Sequence, residues 1–286
     1  MFEIVCLITA LFGSCLAGVY DLKTTEIPDW IPYLMIFLGL ILNGLESLIS
    51  WNFSLILNSI IIGLGFLGFG FLMYYTGQWG GGDAKLLSGV GFLLPSLPSN
   101  FSKSILPFPA SFLFNLFLLG AAYMLLYAFI LALIKRKILI KFFEDVKASY
   151  KIFTIGSVFL FFGFILINFI LSVYLKIRFE LINSIKYSFL PLTFTILVFL
   201  LWKFAKVVEQ IGFKQKIPVS KLKVGDVLDN SRLWEGLTEK EVKKIKRSGK
   251  KYVVIKEGVR FAPAFFIALI FTLLFGDFLL IFLNLI

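Results

Sequence analysis

Six stretches of the chain, 2–20, 31–49, 55–75, 110–134, 152–175 and 263–286, are apolar on every side rather than at every third or fourth position. A helix of this kind has no face to turn toward water. At about 1.5 Å per residue, each stretch is long enough, or nearly so, to cross a hydrocarbon layer roughly 30 Å thick. Two more stretches, 84–97 and 187–202, are shorter and carry Gly or Pro; they are predicted to span as well, which makes eight. The pattern turns polar once, between Lys203 and Gly258. There Thr238 and Glu241 form a capping box, Leu237 and Val242 suit a hydrophobic staple and Gly249 stops the run, so a short helix is predicted near 239–248. Strands are predicted at 224–228 and 252–255. The expected architecture is an all-α polytopic membrane protein of about eight transmembrane helices with a small α+β cytoplasmic module. Its parts are a transmembrane domain at 1–202, the module at 203–260 and a C-terminal transmembrane helix at 261–286. No internal repeat is visible. Gly63, Gly65, Gly68 and Gly70 are predicted to give the third helix a face for close packing.

Composition supports lipid as the solvent. Apolar residues make up 59% of the chain, aromatic residues 17% and charged residues 16%, a balance that a water-soluble domain would expose as large sticky patches. The absence of histidine removes His-ligated zinc, Ser-His-Asp triads and Cys-His dyads, leaving carboxylates, lysines, hydroxyls and two thiols for chemistry. Cys6 and Cys15 both fall in the first apolar stretch and read as small buried hydrophobes. Glu3 stands where a signal peptide would be basic, so the first stretch is predicted to be a retained helix. With the amino terminus outside, the loops 21–30, 76–85 and 135–151 and the tract 203–260 are cytoplasmic. They hold all 28 Lys and Arg residues except Lys103, Lys176, Arg178 and Lys186. That asymmetry explains the net charge of +11 by membrane orientation and leaves no need for a nucleic-acid partner.

Acids at a membrane boundary are costly and stand out. Asp21 directly follows the first span and Asp83 directly precedes the fourth, which puts both on the cytoplasmic side. Each alone also suits a plain role, Asp21 as a solvated flank beside Lys23 and Asp83 as a helix cap after three glycines. Together they sit in two patterned stretches, an Asp-x5-Ile-Pro run from Asp21 to Pro28 and a Gly-x-Gly-Asp run from Gly80 to Asp83. With these motifs the chain resembles the type IV prepilin and preflagellin peptidases, over roughly its first hundred residues. The polar tract and the last span resemble the C-terminal region of archaeal members.

The resemblance implies an aspartic endopeptidase that removes the basic leader of type IV pilin-like precursors, pilin or archaellin, at the cytoplasmic face of the cell membrane. Asp21 and Asp83 are then the catalytic pair. The residue types suit the role, because two close carboxylates do not both ionise easily; one serves as a base toward water and the other as a proton donor toward the scissile carbonyl. Gly80, Gly81 and Gly82 are expected to let a substrate backbone approach and pair as an added strand, and Glu26 and Asp29 to attract the leader's Lys or Arg. A plain flexible loop and solvated charges are the competing readings of those five residues. The partners implied are the precursors and membrane lipids. Nothing matches the four-cysteine zinc loop of bacterial relatives, so no metal or other cofactor is expected, and no methylation. Asp29 stands where many family members have Asn after the Ile-Pro pair, a departure that leaves its function open. Asp226 and Asp277 lack a glycine three positions before them, and both are assigned structural roles. Three rival readings stay open: a presenilin or signal-peptide-peptidase type of intramembrane protease, a transporter with acidic ion-binding residues, and an assembly subunit without activity.

Overall fold

A computed structural model describes residues 2–97, 105–229, 231, 236–256 and 258–278. Among the described residues, six helices are long and apolar enough to cross a membrane: α1 (Phe2–Thr24), α2 (Trp30–Ser50), α3 (Ser54–Tyr75), α5 (Phe108–Ile134), α6 (Arg136–Tyr174) and α7 (Leu181–Val207). Two of the other predicted spans are occupied by shorter helices, the 13-residue α4 (Gly81–Leu93) and the apolar α9 (Pro263–Phe275). The run 263–286 does not continue as one helix through its described part: α9 stops at Gly276, whose φ of 71° is easy only for glycine, and 279–286 lies outside the described residues. The stretch 135–151, expected as a loop, is helical and opens the 39-residue α6. It holds neither Gly nor Pro, and Lys141 pairs with Asp145 one turn on at 3.2 Å. The expected span 187–202 likewise lengthens to 27 residues, with Pro191 inside the helix.

The chain divides into two compact units, one of 1–127 with 214–286 and one of 128–213. The smaller unit is built from the end of α5 and from α6 and α7. There Phe153 stacks on Phe199 at 3.9 Å, and Ala132, Ile138, Val207 and Val208 form a buried cluster.

In the larger unit, α4 is held by its neighbours and almost wholly buried. A helix of 13 residues leaves carbonyls unpaired at its end, and inside an apolar bundle these need partners. The Phe92 carbonyl accepts from Asn43 Nδ2 of α2 at 3.0 Å and from Ser59 Oγ of α3 at 2.6 Å, and Ser88 Oγ donates to the Gly63 carbonyl at 3.0 Å. Only part of the predicted glycine face is used. A Cβ on Gly63 would lie 2.3 Å from the Phe92 ring, and one on Gly70 would lie 2.7 Å from Ala84 Cα, whereas Gly65 and Gly68 meet nothing within 4 Å. Positions 63 and 70 are seven residues apart and share a face; 65 and 68 point elsewhere.

The polar module carries the predicted helix as α8 (Glu239–Arg247). Its capping box is formed: Thr238 Oγ1 accepts from the Glu241 N–H, and Glu241 Oε2 accepts from the Thr238 N–H at 2.8 Å. Those bonds from Thr238 hold the Glu241 carboxyl below its ordinary range. The predicted strands shorten to β2 (Val227–Leu228) and shift slightly to β3 (Tyr252–Lys256). A third strand, β1 (Lys214–Pro218), completes an antiparallel sheet of order β1-β3-β2. Its sequence, Lys-Gln-Lys-Ile-Pro, has no apolar alternation to announce it, and Pro218 is tolerated because β1 is an edge strand. Leu222, Val242 and Ile255 form the module's small core.

Candidate active site

Asp21 lies in the last turn of α1 and Asp83 in the first turn of α4. Both side chains are buried, at 4% and 8% exposure. Each carboxylate accepts from a backbone N–H. Asp83 Oδ2 accepts from the Gly80 N–H at 3.1 Å, which is the reaching-back half of a capping box; glycine has no side chain to return the other half. Asp21 Oδ2 accepts from the Ala262 N–H at 2.9 Å, where the chain enters α9. Each carboxylate thus meets an N–H group at the start of a helix, α9 for Asp21 and α4 for Asp83, which partly offsets the cost of burying it.

Three close approaches assemble the site. A Cβ on Gly82 would lie 3.0 Å from Ile27 Cβ, so the Gly-x-Gly-Asp turn packs against the Ile-Pro segment that follows α1. A Cβ on Gly18 would lie 3.2 Å from Pro263 Cα, which brings the start of α9 against α1 beside Asp21. Trp79, just ahead of the glycines, packs on Phe69, Phe117, Phe261 and Phe265 with ring centroids 5.7–6.1 Å apart. The two carboxylates end within electrostatic reach of one another. Close by, the Arg260 guanidinium acts on Asp21, donating from Nε to the Leu22 carbonyl at 3.0 Å and from Nη1 to the Tyr127 hydroxyl at 2.6 Å.

Of the five residues read as substrate contacts, most have local partners. The Gly80 N–H donates to Asp83, Gly82 packs on Ile27, and Gly81 has the Tyr74 ring 3.8 Å from a notional Cβ. Asp29 pairs with Lys85 at 2.7 Å, tying the start of α2 to the first turn of α4. Glu26 lies beside the turn at Gly225 of the polar module, 3.9 Å from a Cβ placed there. Sequence reasoning missed Arg260, Tyr127 and the Ala262 N–H. Arg260 is one of many cations in a basic tract, and only its distance from the apolar run of α9 marks it.

The two acids assigned structural roles have structural partners. Asp226 Oδ2 accepts from the Lys223 N–H at 2.7 Å and closes a turn. Asp277 is fully buried; its Oδ2 accepts from the Leu106 N–H at 2.9 Å, while Oδ1 has no partner among the described residues. Asp277→Asn keeps an oxygen for Leu106, so the variant is expected to retain turnover within about 2-fold, checked by steady-state cleavage of a precursor. A 10-fold loss at normal expression would place Asp277 in the chemistry.

The fold and site define a class: a chain with six described helices long and apolar enough to cross a membrane and with two buried carboxylates at helix ends within electrostatic reach of one another. The segment that holds both carboxylates, residues 7–135, matches the model of the type IV leader peptidase family, which bears out the resemblance carried by the two motifs. Among individual relatives, the prepilin peptidase EppA of Methanothermobacter thermautotrophicus is 29% identical over 159 residues, 52% of this chain and 41% of that protein. A preflagellin peptidase of Methanocaldococcus jannaschii is 40% identical over 88 residues, 31% of this chain and 37% of that protein. A preflagellin peptidase of Methanococcus voltae is 35% identical over 97 residues, 34% of this chain and 41% of that protein. The chain thus spans about two-fifths of the length of the relatives it matches.

Proposed function

We propose that this chain is a membrane-embedded aspartic endopeptidase that removes the basic leader from type IV pilin-like precursors. The observation that carries the reading is the burial of Asp21 and Asp83 within reach of each other's charge, inside the segment that matches the leader peptidase family. In this reading α4 and α9 complete a set of eight spans, and the asymmetry of Lys and Arg puts the carboxylates on the cytoplasmic side. The precursor's apolar helix lies in the bilayer with its leader in the cytoplasm, so the scissile bond meets the ends of α1 and α4. One carboxylate takes a proton from water as the water oxygen bonds to the carbonyl carbon. The other, protonated, hydrogen-bonds the carbonyl oxygen as charge develops there, and the proton taken from water passes to the leaving amine as the C–N bond breaks. The pair owns the two titration steps, because its members interact. Purified protein in detergent, incubated with pilin and archaellin precursors and read by mass, should give cleavage at the junction between basic leader and apolar helix. Intact precursors throughout, with correctly folded protein, would sink the proposal.

Recognition of the leader is proposed to involve the acids of the α1–α2 loop. Asp29 already neutralises Lys85 across an exposed pair, so Glu26 is the more available carboxylate. An exposed ion pair contributes about 0–1 kcal/mol, which corresponds to at most about 5-fold in affinity. Glu26→Gln with Asp29→Asn is therefore expected to raise KM for a basic-leader precursor up to about 5-fold at low salt, with kcat less affected and the difference shrinking as salt is added. Equal KM values at low salt would remove this loop from leader recognition.

A further inference from the structure

Tyr123 carries a buried polar group within electrostatic reach of Asp21 that the mechanism above leaves unused. Its hydroxyl is shut off from the surface and has no hydrogen-bond partner among the described residues, an arrangement that proteins rarely leave unexplained. Tyr123 and Tyr127 are one turn apart on the same face of α5, their rings stacked with centroids 6.4 Å apart. The Tyr127 hydroxyl accepts from Arg260, whereas Tyr123 stands within electrostatic reach of Asp21, Tyr127 and Arg260 alike. The face is fixed in place: a Cβ on Gly120 would lie 2.9 Å from the Phe261 ring, and Phe261 directly precedes the Ala262 N–H that binds Asp21.

A phenol donates one hydrogen bond and keeps its proton at neutral pH, which makes it suited to an oxygen on which negative charge develops. We propose that Tyr123 is a catalytic residue, its O–H donating a hydrogen bond to the scissile carbonyl oxygen while water adds to the carbonyl carbon. The inference rests on the peptidase reading. In the addition step the water oxygen bonds to carbon, the water proton passes to the ionised carboxylate and the carbonyl π pair moves onto oxygen. Tyr123 stabilises that oxygen without transferring its own proton. In the collapse step the C–N bond breaks, its pair leaves with the amine and the carboxylate pair supplies the amine's proton, so the net change is the consumption of one water. Leaving the phenol unpaired in the resting protein keeps the donor ready for the transition state, at a cost in stability.

The test is Tyr123→Phe, which deletes one oxygen and keeps the ring. Purified variant and wild-type protein are compared in detergent for kcat and KM on a precursor that the wild type cleaves, and for Tm. The expected result is a fall in kcat of roughly 10-fold or more, below the 10²–10³ of a sole oxyanion donor because a protonated carboxyl shares the load, with KM within about 2-fold and Tm equal or higher. A smaller loss of kcat overturns the inference while leaving the peptidase reading standing. A loss of kcat with a lower Tm also overturns it, since that marks the hydroxyl as structural. Absence of cleavage by the wild type would remove the peptidase reading and this inference with it.

Discussion

Asp21→Asn and Asp83→Asn will each yield a protein that inserts and folds but cleaves precursor slower by about 10²–10⁴-fold, the range set by loss of one positioned proton-transfer group. Asparagine is the informative replacement because both carboxylates also hold the fold. Asp21 Oδ2 receives the Ala262 N–H and Asp83 Oδ2 the Gly80 N–H, and an amide oxygen can accept the same bonds. What asparagine removes is the exchangeable proton and the charge. If the two acids were only helix caps, the variants would lose a few tenths of a kcal/mol to about 2 kcal/mol of stability and keep their turnover. Burst-free steady-state rates on a purified precursor, with Tm measured alongside, separate the two outcomes; near-normal turnover by either variant rejects the pair. The double variant should be no slower than the worse single one by more than a small factor, because the two groups act as a unit.

Gly70→Ala will lower both stability and turnover, whereas Gly68→Ala will lower neither. At 70 the new methyl would lie 2.7 Å from Ala84 Cα and 3.0 Å from the Ala84 carbonyl oxygen, backbone atoms that cannot swing aside. The helix α4 must move, and Ala84 is the residue after Asp83. Overpacking of this kind costs about 1–3 kcal/mol, and a displacement approaching 1 Å at a reacting group costs on the order of 10²-fold in rate. A shift of several tenths of an ångström is expected to reduce kcat by roughly 10-fold. Gly68 faces open space, so alanine there only restrains a helical position and is expected to be neutral or to stabilise by about 0.5–1 kcal/mol. Equal Tm and kcat for the two variants would show that α3 and α4 do not depend on this contact to hold Asp83.

By itself the sequence determined where the chain can cross a membrane, which tract is polar, where α8 starts and stops, and which two acids merit attention. These are local properties. An unbroken apolar run, a capping box at Thr238 and a glycine turn before Asp83 are each written within a few residues, and the physics they report, transfer from water and satisfaction of nearby N–H groups, acts over the same short range. The tertiary structure alone decided what stands around the acids. Ala262 is 241 residues from its hydrogen-bond partner Asp21, and Arg260 is 238 residues from the Leu22 carbonyl it binds. The pairing of Lys85 with Asp29 bridges 56 residues and takes up a carboxylate that reads as free in the sequence. Gly63 and Gly70 separate from Gly65 and Gly68 only when the neighbouring helix is in place, and β1 becomes a strand only because β3 offers it an edge. An N–H group, a guanidinium or a missing Cβ has the same local appearance whether or not a distant segment meets it, because the energy of such a contact belongs to the pair and leaves no periodic mark on either partner's sequence.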